Sequence, residues 1–376
     1  MHQLNELETP CLLLDPAIMQ RNIKRLKERL QTLGVRNRPH LKTAKSVEVA
    51  RVMMDSPSGP ATVSTLKEAD EFAAAGVKDM LYAVSITPNK YAHVSRLRAQ
   101  GIDLCVVLDS VAAAQQLAAY CAASGERFAV LIEIDSDGHR SGVRTGDTVI
   151  VQIAQALQAG CELRGVMTHA GASYQCYSTD AKQAMAEQER SAAVRSARML
   201  RAAGFAAPVV SVGSTPTALF AQSLEGVTEV RSGVAVFFDL VMAGLNVCST
   251  SDIAISVLTS VIGHQREKGW IIVDAGWMAM SRDRGTASQP VDQGYGLVCD
   301  AQGRVIDDLI MSSANQEHGI LSNRAGFAAA LPDLPVGSLV RILPNHACAT
   351  GAQHDAYRVL SASGEAADIW PRFRGW

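Results

Sequence analysis

The chain has 376 residues, with 35 Lys and Arg against 37 Asp and Glu and a formal charge of -2. This balance, with no basic block anywhere, argues against nucleic acid or an anionic membrane surface as partner and leaves a small molecule. The length suits two domains with enough interior to fold without covalent staples. The eight cysteines, at 11, 105, 121, 161, 176, 248, 299 and 348, contain no Cys-x-x-Cys pair, the usage expected of a reducing cytoplasm.

The start, MHQLNELETP, is not a charged segment followed by an apolar one, and no apolar run approaches the ~20 residues of a membrane helix. A soluble, unexported protein is expected. A short apolar strand, Cys11 to Asp15, comes first. Residues 16 to 33 then place Ile18, Met19, Ile23, Leu26, Leu30 and Leu33 near a helical period before Gly34, which predicts a helix and its stop.

Eight apolar runs follow, at 38 to 43, 61 to 65, 80 to 84, 104 to 109, 128 to 135, 163 to 169, 209 to 214 and 228 to 234. Stretches of helical period separate most of them, such as 110 to 124 and 179 to 204. Parallel strands need such crossovers, so the alternation predicts an α/β fold with a (β/α)8 TIM-like barrel, a doubly wound open sheet being the other arrangement it permits. After Gly244 the runs become short and β-branched, at 253 to 262, 270 to 273, 296 to 298, 305 to 311 and 339 to 343. A C-terminal β domain is expected, with boundaries of 8–246 for the barrel and 247–376, joined by 1–7, for the β domain. The segment 321 to 337, with two prolines and two glycines, is expected to be a surface loop or a subunit contact.

Barrel active sites are built from the loops after the strands. Lys42 ends the first run, where a lysine amine can hold a carbonyl cofactor. Arg140 follows the fifth, His169 and Tyr174 the sixth, Gly213-Ser214-Thr215 the seventh and Arg231-Ser232-Gly233 the eighth. Glycine lets backbone approach an anion, and Ser and Thr add hydroxyl donors, so the last two loops have the chemistry of a phosphate cradle. Each feature has a plain counterpart: a solvated lysine, a turn before Pro216, a core histidine. Their joint placement at strand ends favours an enzyme. In Pro344-Asn345-His346-Ala347-Cys348-Ala349-Thr350, an extended backbone would turn His346 and Cys348 to one side. Nitrogen plus sulfur favours zinc or another borderline metal over magnesium, with positions left open for water or substrate. His318 is a candidate third ligand.

Taken together, Thr9-Pro10, Arg38-Pro39-His40-Leu41-Lys42-Thr43, Asp137 to Val143, Thr168-His169-Ala170-Gly171, Val212 to Thr217, Phe237-Phe238-Asp239, Asp274 to Trp277, Glu317-His318-Gly319 and His346-Ala347-Cys348 resemble the D-threonine aldolase and D-serine dehydratase family. These are pyridoxal phosphate enzymes of the alanine-racemase (fold type III) architecture, and the likeness runs over essentially the whole chain. The resemblance implies that Lys42 carries the cofactor, that Gly213, Ser214 and Thr215 hold its phosphate with Gly233 nearby, and that Arg140 and Tyr174 face it. It also implies that His346 and Cys348 bind a divalent metal (zinc or manganese, with magnesium or cobalt as further options) near the substrate's β-oxygen, and His169 and Tyr174 are candidates for handling protons beside the substrate. The implied assembly is a homodimer with sites at the subunit junction.

The implied reaction acts on a D-3-hydroxy-2-amino acid. His-x-Cys resembles the dehydratase branch, which yields a 2-oxo acid and ammonia. The alternative is retro-aldol cleavage to glycine and an aldehyde, and an amino-acid racemase is a third option. One departure stands out: Ala235 occupies a position where the family usually has tyrosine.

Overall fold

The computed structural model describes residues 3–326 and 330–376. Two compact units result, Lys24–Gly233 with Gly375–Trp376, and Met1–Ile23 with Val234–Arg374. No helix among the described residues is long and apolar enough to cross a membrane. All eight cysteines are free thiols, and five of them are buried.

The strand β1 (Cys11–Leu14) and the helix α1 (Pro16–Thr32) come first. The larger unit then alternates strands with helices: β2 (Arg36–Asn37), α2 (Val47–Met53), β3 (Ala61–Val63), α3 (Leu66–Ala74), β4 (Asp79–Ser85), α4 (Tyr91–Ala99), β5 (Asp103–Leu108), α5 (Val111–Ser124) and β6 (Ala129–Asp135). After the two-residue β7 (Val143–Arg144) come α6 (Val149–Leu157), β8 (Glu162–Thr168), α7 (Thr179–Ala202), β9 (Val209–Val212), α8 (Thr215–Phe220) and β10 (Glu229–Val230). The caps follow local chemistry. Ser110 Oγ accepts the Ala113 N–H at the start of α5 and Gly125 ends it at φ 73°, while Ser178 Oγ accepts from Ala181 N to begin α7. A side-chain oxygen supplies the acceptor that a first-turn N–H lacks, and glycine takes the left-handed conformation without penalty.

The parallel strands run in the order β2-β10-β9-β8-β6-β5-β4-β3, with β7 added to β6. A parallel bridge between His40 and Thr62 joins the two ends, supported by Leu41 N donating to Thr62 O at 2.9 Å and Thr62 N to Pro39 O at 2.8 Å. The eight predicted runs therefore close into the barrel. Leu81, Cys105, Val107, Ala129, Leu131 and Met167 pack as one apolar cluster, and these alternate positions come from four adjacent strands. Near them a polar layer is buried: Arg38 Nε donates to Glu229 Oε2 at 2.8 Å, and Ser211 Oγ to Glu229 Oε1 at 2.8 Å.

One run differs from its expectation. The first was expected to stay extended to Thr43, yet ladder pairing covers only Arg36–Asn37 and the single bridge at His40. Pro39 has no N–H to give a ladder, and the chain turns through residues 41 to 44. Lys42 consequently sits in that turn, not on a strand.

The other unit is an antiparallel sheet in which β1 is inserted. With β11 (Ile255–Gln265), β12 (Trp270–Val273), β13 (Gly296–Asp300), β14 (Val305–Ala314), β15 (Gly319–Asn323), β16 (Leu339–Pro344), β17 (Ala356–Leu360) and β18 (Ala366–Pro371), the order is β12-β15-β14-β13-β16-β11-β1-β17-β18. β1 pairs antiparallel with β11 and parallel with β17. The segment expected as loop from 321 is strand through Asn323, because Leu321 is buried and pairs with both Ile271 and Met311. Residues 327–329 of that segment lie outside the described residues.

Candidate active site

The candidate residues of the barrel share one contiguous rim. Beginning at Lys42, the side chain is exposed and its amine makes no ion pair or hydrogen bond among the described residues; only its backbone N–H points toward His40 Nδ1, at 3.5 Å. His40 lies beside Lys42, Arg231 and His169, and its basicity is held well below the ordinary histidine range, first by burial and then by the charges of Lys42 and Arg231. A neutral imidazole next to the amine removes a competing cation.

Gly233 adjoins the same turn, since a Cβ there would stand 3.1 Å from both His40 O and Thr43 Oγ1. The neighbouring Ser232 shares a 2.8 Å hydrogen bond with Thr215 Oγ1. Ser214 caps α8 by accepting from Thr217 N, and its hydroxyl lies 2.8 Å from Ser173 Oγ. Tyr174 follows in the short 3-10 helix Gly171–Gln175. Gly213 closes this arc: its carbonyl accepts from His169 Nδ1 at 2.6 Å. It must be glycine, with φ +152° and a hypothetical Cβ only 1.9 Å from Arg231 O.

His169 is pushed down to about 3, mainly by burial, with Lys42, Arg140 and Arg231 acting in the same direction and the Gly213 carbonyl opposing them. It is therefore neutral at physiological pH, with hydrogen on Nδ1 and a lone pair on Nε2. Arg140 is exposed in the turn after β6, its guanidinium 3.6 Å from Glu133 Oε1.

Does this rim suit a phosphorylated cofactor? The Gly213 N–H is taken by Glu189 Oε1 at 3.1 Å and the Ser214 N–H by Thr217 Oγ1 at 3.2 Å. That leaves the N–H groups of Thr215 and Gly233, for which no acceptor occurs among the described residues. Thr215 stands in the first helical turn, where no intrahelical carbonyl is available. Nearby, Thr168 Oγ1 at the end of β8 is buried without a hydrogen-bond partner among the described residues. Donors without acceptors, hydroxyls and close backbone packing fit a phosphate with a lysine amine close by.

The second candidate pair lies in the antiparallel unit. The backbone here is extended only in part: β16 ends at Pro344, His346 is still extended at φ -132° and ψ 109°, and a helical turn covers Ala347–Gly351. The turn is pinned on several sides. Asn345 Nδ2 donates to Gly294 O at 2.6 Å, Ala347 N to Asp239 Oδ2 at 3.0 Å and Thr350 Oγ1 to Met280 O at 2.7 Å. His346 and Cys348 nevertheless meet, in a side-chain hydrogen bond, and His346 Nδ1 lies 2.6 Å from Asp283 Oδ2.

Burial disfavours the His346 imidazolium, but the Asp283 carboxylate and Cys348 outweigh it and raise its pKa to about 11. A carboxylate on Nδ1 leaves Nε2 for a metal, the common arrangement around ligating histidines. The donors thus fit a borderline divalent metal held by two protein ligands. Among the described residues no group of three or more His, Cys, Asp or Glu forms a metal cage, and His318 stays exposed in the turn between β14 and β15.

Sequence reading overlooked several contributors. Glu189 lies within a long amphipathic helix, where a glutamate reads as solvated. Asp283 is 63 residues from His346. Ser173 is a single serine in the short 3-10 helix Gly171–Gln175, with no spacing signal to mark it.

Residues 14–241 match the family model described as alanine racemase, N-terminal domain, and residues 254–360 match the putative serine dehydratase domain. The chain is 55% identical over 374 residues to D-threo-3-hydroxyaspartate dehydratase of Delftia sp. (strain HT23), covering 98% of each chain. It is 30% identical to 3-hydroxy-D-aspartate aldolase of Paracoccus denitrificans (strain Pd 1222), covering 98% of this chain and 92% of that one. A solved structure of a D-threo-3-hydroxyaspartate dehydratase mutant in a metal-free form superposes with TM-score 0.97 at 54% identity, covering 100% of both chains. Barrel, rim and sequence agree, and the chain belongs to the alanine-racemase-like family that includes D-threo-3-hydroxyaspartate dehydratase.

Proposed function

We propose that this protein is a pyridoxal-phosphate- and divalent-metal-dependent lyase that dehydrates a D-3-hydroxy-2-amino acid of the 3-hydroxyaspartate type to a 2-oxo acid and ammonia. The observation that carries it is Lys42: an unpaired amine beside two neutral histidines, on the rim that holds Thr215 and Gly233. When bound, the cofactor supplies an electron-accepting ring for the substrate's Cα and the metal a Lewis acid for its β-oxygen.

The chain's own residues do the rest. Thr215 and Gly233 give backbone N–H groups to the phosphate, with the hydroxyls of Ser214 and Thr215 around it. Lys42 Nζ anchors the cofactor and, once released by substrate, takes the Cα proton. His169 remains uncharged, so its Nε2 accepts a hydrogen bond without adding a cation that would compete with Lys42. His346 and Cys348 hold the metal, for which zinc or manganese suits one nitrogen and one sulfur donor. Tyr174 is a proton-handling candidate and Arg140 a cofactor contact. A cytoplasmic homodimer fits eight free thiols and the family.

Retro-aldol cleavage is the second reading, favoured by the 30% identical relative that is named an aldolase. Both reactions use a metal at the β-oxygen and differ in which proton the base removes. The deciding experiment incubates the metal-loaded holoenzyme with D-threo-3-hydroxyaspartate, D-serine and D-threonine, scoring ammonia and glycine separately. Ammonia without glycine supports dehydration; glycine with an aldehyde overturns it in favour of cleavage. Conversion of D to L substrate under chelation would make the protein a racemase.

A further inference from the structure

The middle of α7 carries a carboxylate that the mechanism does not use. Glu189 is 1% exposed and forms no ion pair with Lys or Arg among the described residues. One of its oxygens, Oε1, accepts the N–H of Ala170 at 2.9 Å and that of Gly213 at 3.1 Å. The other, Oε2, accepts the Thr217 hydroxyl at 2.6 Å. Ala170 lies two residues past the end of β8 and Gly213 one past the end of β9, so a single oxygen ties two neighbouring strand ends together. Gly213 is held at both ends, with its N–H on Glu189 and its carbonyl on His169 Nδ1. Thr217, the third partner, is also the acceptor for Ser214 N–H.

A buried carboxylate without a cation costs free energy, and burial is the largest influence raising the pKa of this one. A role confined to attaching α7 to the barrel would need only apolar contact. Instead two of the three donors it collects, the Gly213 N–H and the Thr217 hydroxyl, bracket the backbone from Gly213 to Thr217, and the third, the Ala170 N–H, ties that turn to the residue after His169. We propose that Glu189 is a positioning residue that fixes the spacing of the phosphate-holding turn and, through the Gly213 carbonyl, the orientation of His169. The proposal rests on the cofactor reading above and adds to it a residue that touches neither cofactor nor substrate.

If spacing is what Glu189 provides, its reach matters more than its charge. Glutamine keeps an acceptor oxygen at the same distance. Aspartate keeps the charge but falls one methylene short, and alanine removes both. The test measures equilibrium binding of pyridoxal 5'-phosphate and of pyridoxal, which lacks the phosphate, to the apo forms of the wild-type protein and of Glu189→Gln, Glu189→Asp and Glu189→Ala.

Expected is a loss of pyridoxal phosphate affinity of about tenfold or more in the Asp and Ala variants, the factor equivalent to ~1.4 kcal/mol. The Gln variant should stay within about threefold of wild type, and pyridoxal should bind all four within about twofold, since only the phosphate end meets the turn. Parallel loss of both ligands would reduce Glu189 to a structural residue, and undiminished binding by the Asp variant would show that reach is irrelevant; either overturns the proposal. Should the Ala variant fail to fold, the Gln and Asp pair carries the decision. Wild-type protein that binds no pyridoxal phosphate overturns the cofactor reading itself, whereas wild-type binding together with either of the two contrary variant patterns overturns only the role of Glu189.

Discussion

Replacing Gly213 with alanine tests the architecture of the rim most directly. The new Cβ would lie 1.9 Å from Arg231 O and 2.7 Å from Arg231 C and N, all backbone atoms, at a φ of +152°. No side-chain rotation relieves such an overlap, so β9 and β10 must separate at their ends by roughly 1.5 Å to reach normal contact. The forbidden backbone region contributes about 1–3 kcal/mol and the overpacking another ~1–3 kcal/mol, so a loss of about 2–6 kcal/mol is expected. Arg231 moves with its carbonyl, loosening its contacts to Thr168 O (2.5 Å) and Ser211 Oγ (2.6 Å).

Two controls isolate the functional part. Gly165→Ala meets Val209 O at the same 1.9 Å with φ +144°, on β8 and away from the phosphate turn. It should destabilise comparably while keeping cofactor affinity within about threefold, because only strand packing is disturbed. Gly76→Ala has φ +98° and open space within 4 Å, so it should cost only the ~1–2 kcal/mol of left-handed backbone. Urea midpoints followed by circular dichroism give the stabilities, and titration of the apo forms with pyridoxal phosphate gives the affinities. The reasoning is refuted if Gly213→Ala is no less stable than Gly76→Ala, or if Gly165→Ala loses as much affinity as Gly213→Ala.

Further outcomes follow from the same geometry. Lys42→Ala should abolish turnover and the visible absorbance of the holoenzyme, and a variant that stays yellow and active removes the central assignment. Chelation or Cys348→Ala should end activity on β-hydroxy substrates while absorbance shows the cofactor still bound; cofactor loss on chelation would make the metal structural. Glu229→Ala should cost about 3–5 kcal/mol in urea denaturation, because it leaves the buried guanidinium of Arg38, now 2.8 Å from its carboxylate, without that partner. His169 in the folded chain has its pKa pushed down to about 3, below the ~6.5 of an unfolded histidine. Its stabilisation is thus present above about pH 6.5 and is lost as pH falls toward 3, at up to ~1.4 kcal/mol per pH unit. His169→Gln should flatten that decline when urea midpoints are compared between about pH 8 and about pH 4, and an unchanged slope would show that His169 titrates normally.

The barrel was legible in the chain because its signals are local. Continuous apolar runs such as Ala129–Asp135 and helical spacing such as that of α5 are properties of a few neighbouring residues, and parallel strands covered on both faces demand that alternation. The glycine at 213 and the cluster of residues at strand ends could be read the same way. Less legible were features that depend on distant partners. The three strands 319–323, 356–360 and 366–371 were not anticipated, since each gains its place from pairing, β17 with β1 across more than 300 positions. The backbone after His346 turns helical over Ala347–Gly351, where Asp239 accepts the Ala347 N–H, a contact that no spacing along the sequence encodes.

Local pattern by itself determined the order of elements, the barrel and most of the residues on its rim, since hydrophobic periodicity and turn chemistry act over a few residues. Only the tertiary structure decided which groups are buried, and with whom: that Lys42 stands in a turn after Pro39, that His346 meets Asp283, and that Glu189 collects three donors where an amphipathic helix would suggest solvent. A charged side chain has the same local signature whether water or protein surrounds it. Its role is set by donors and charges brought from far along the chain.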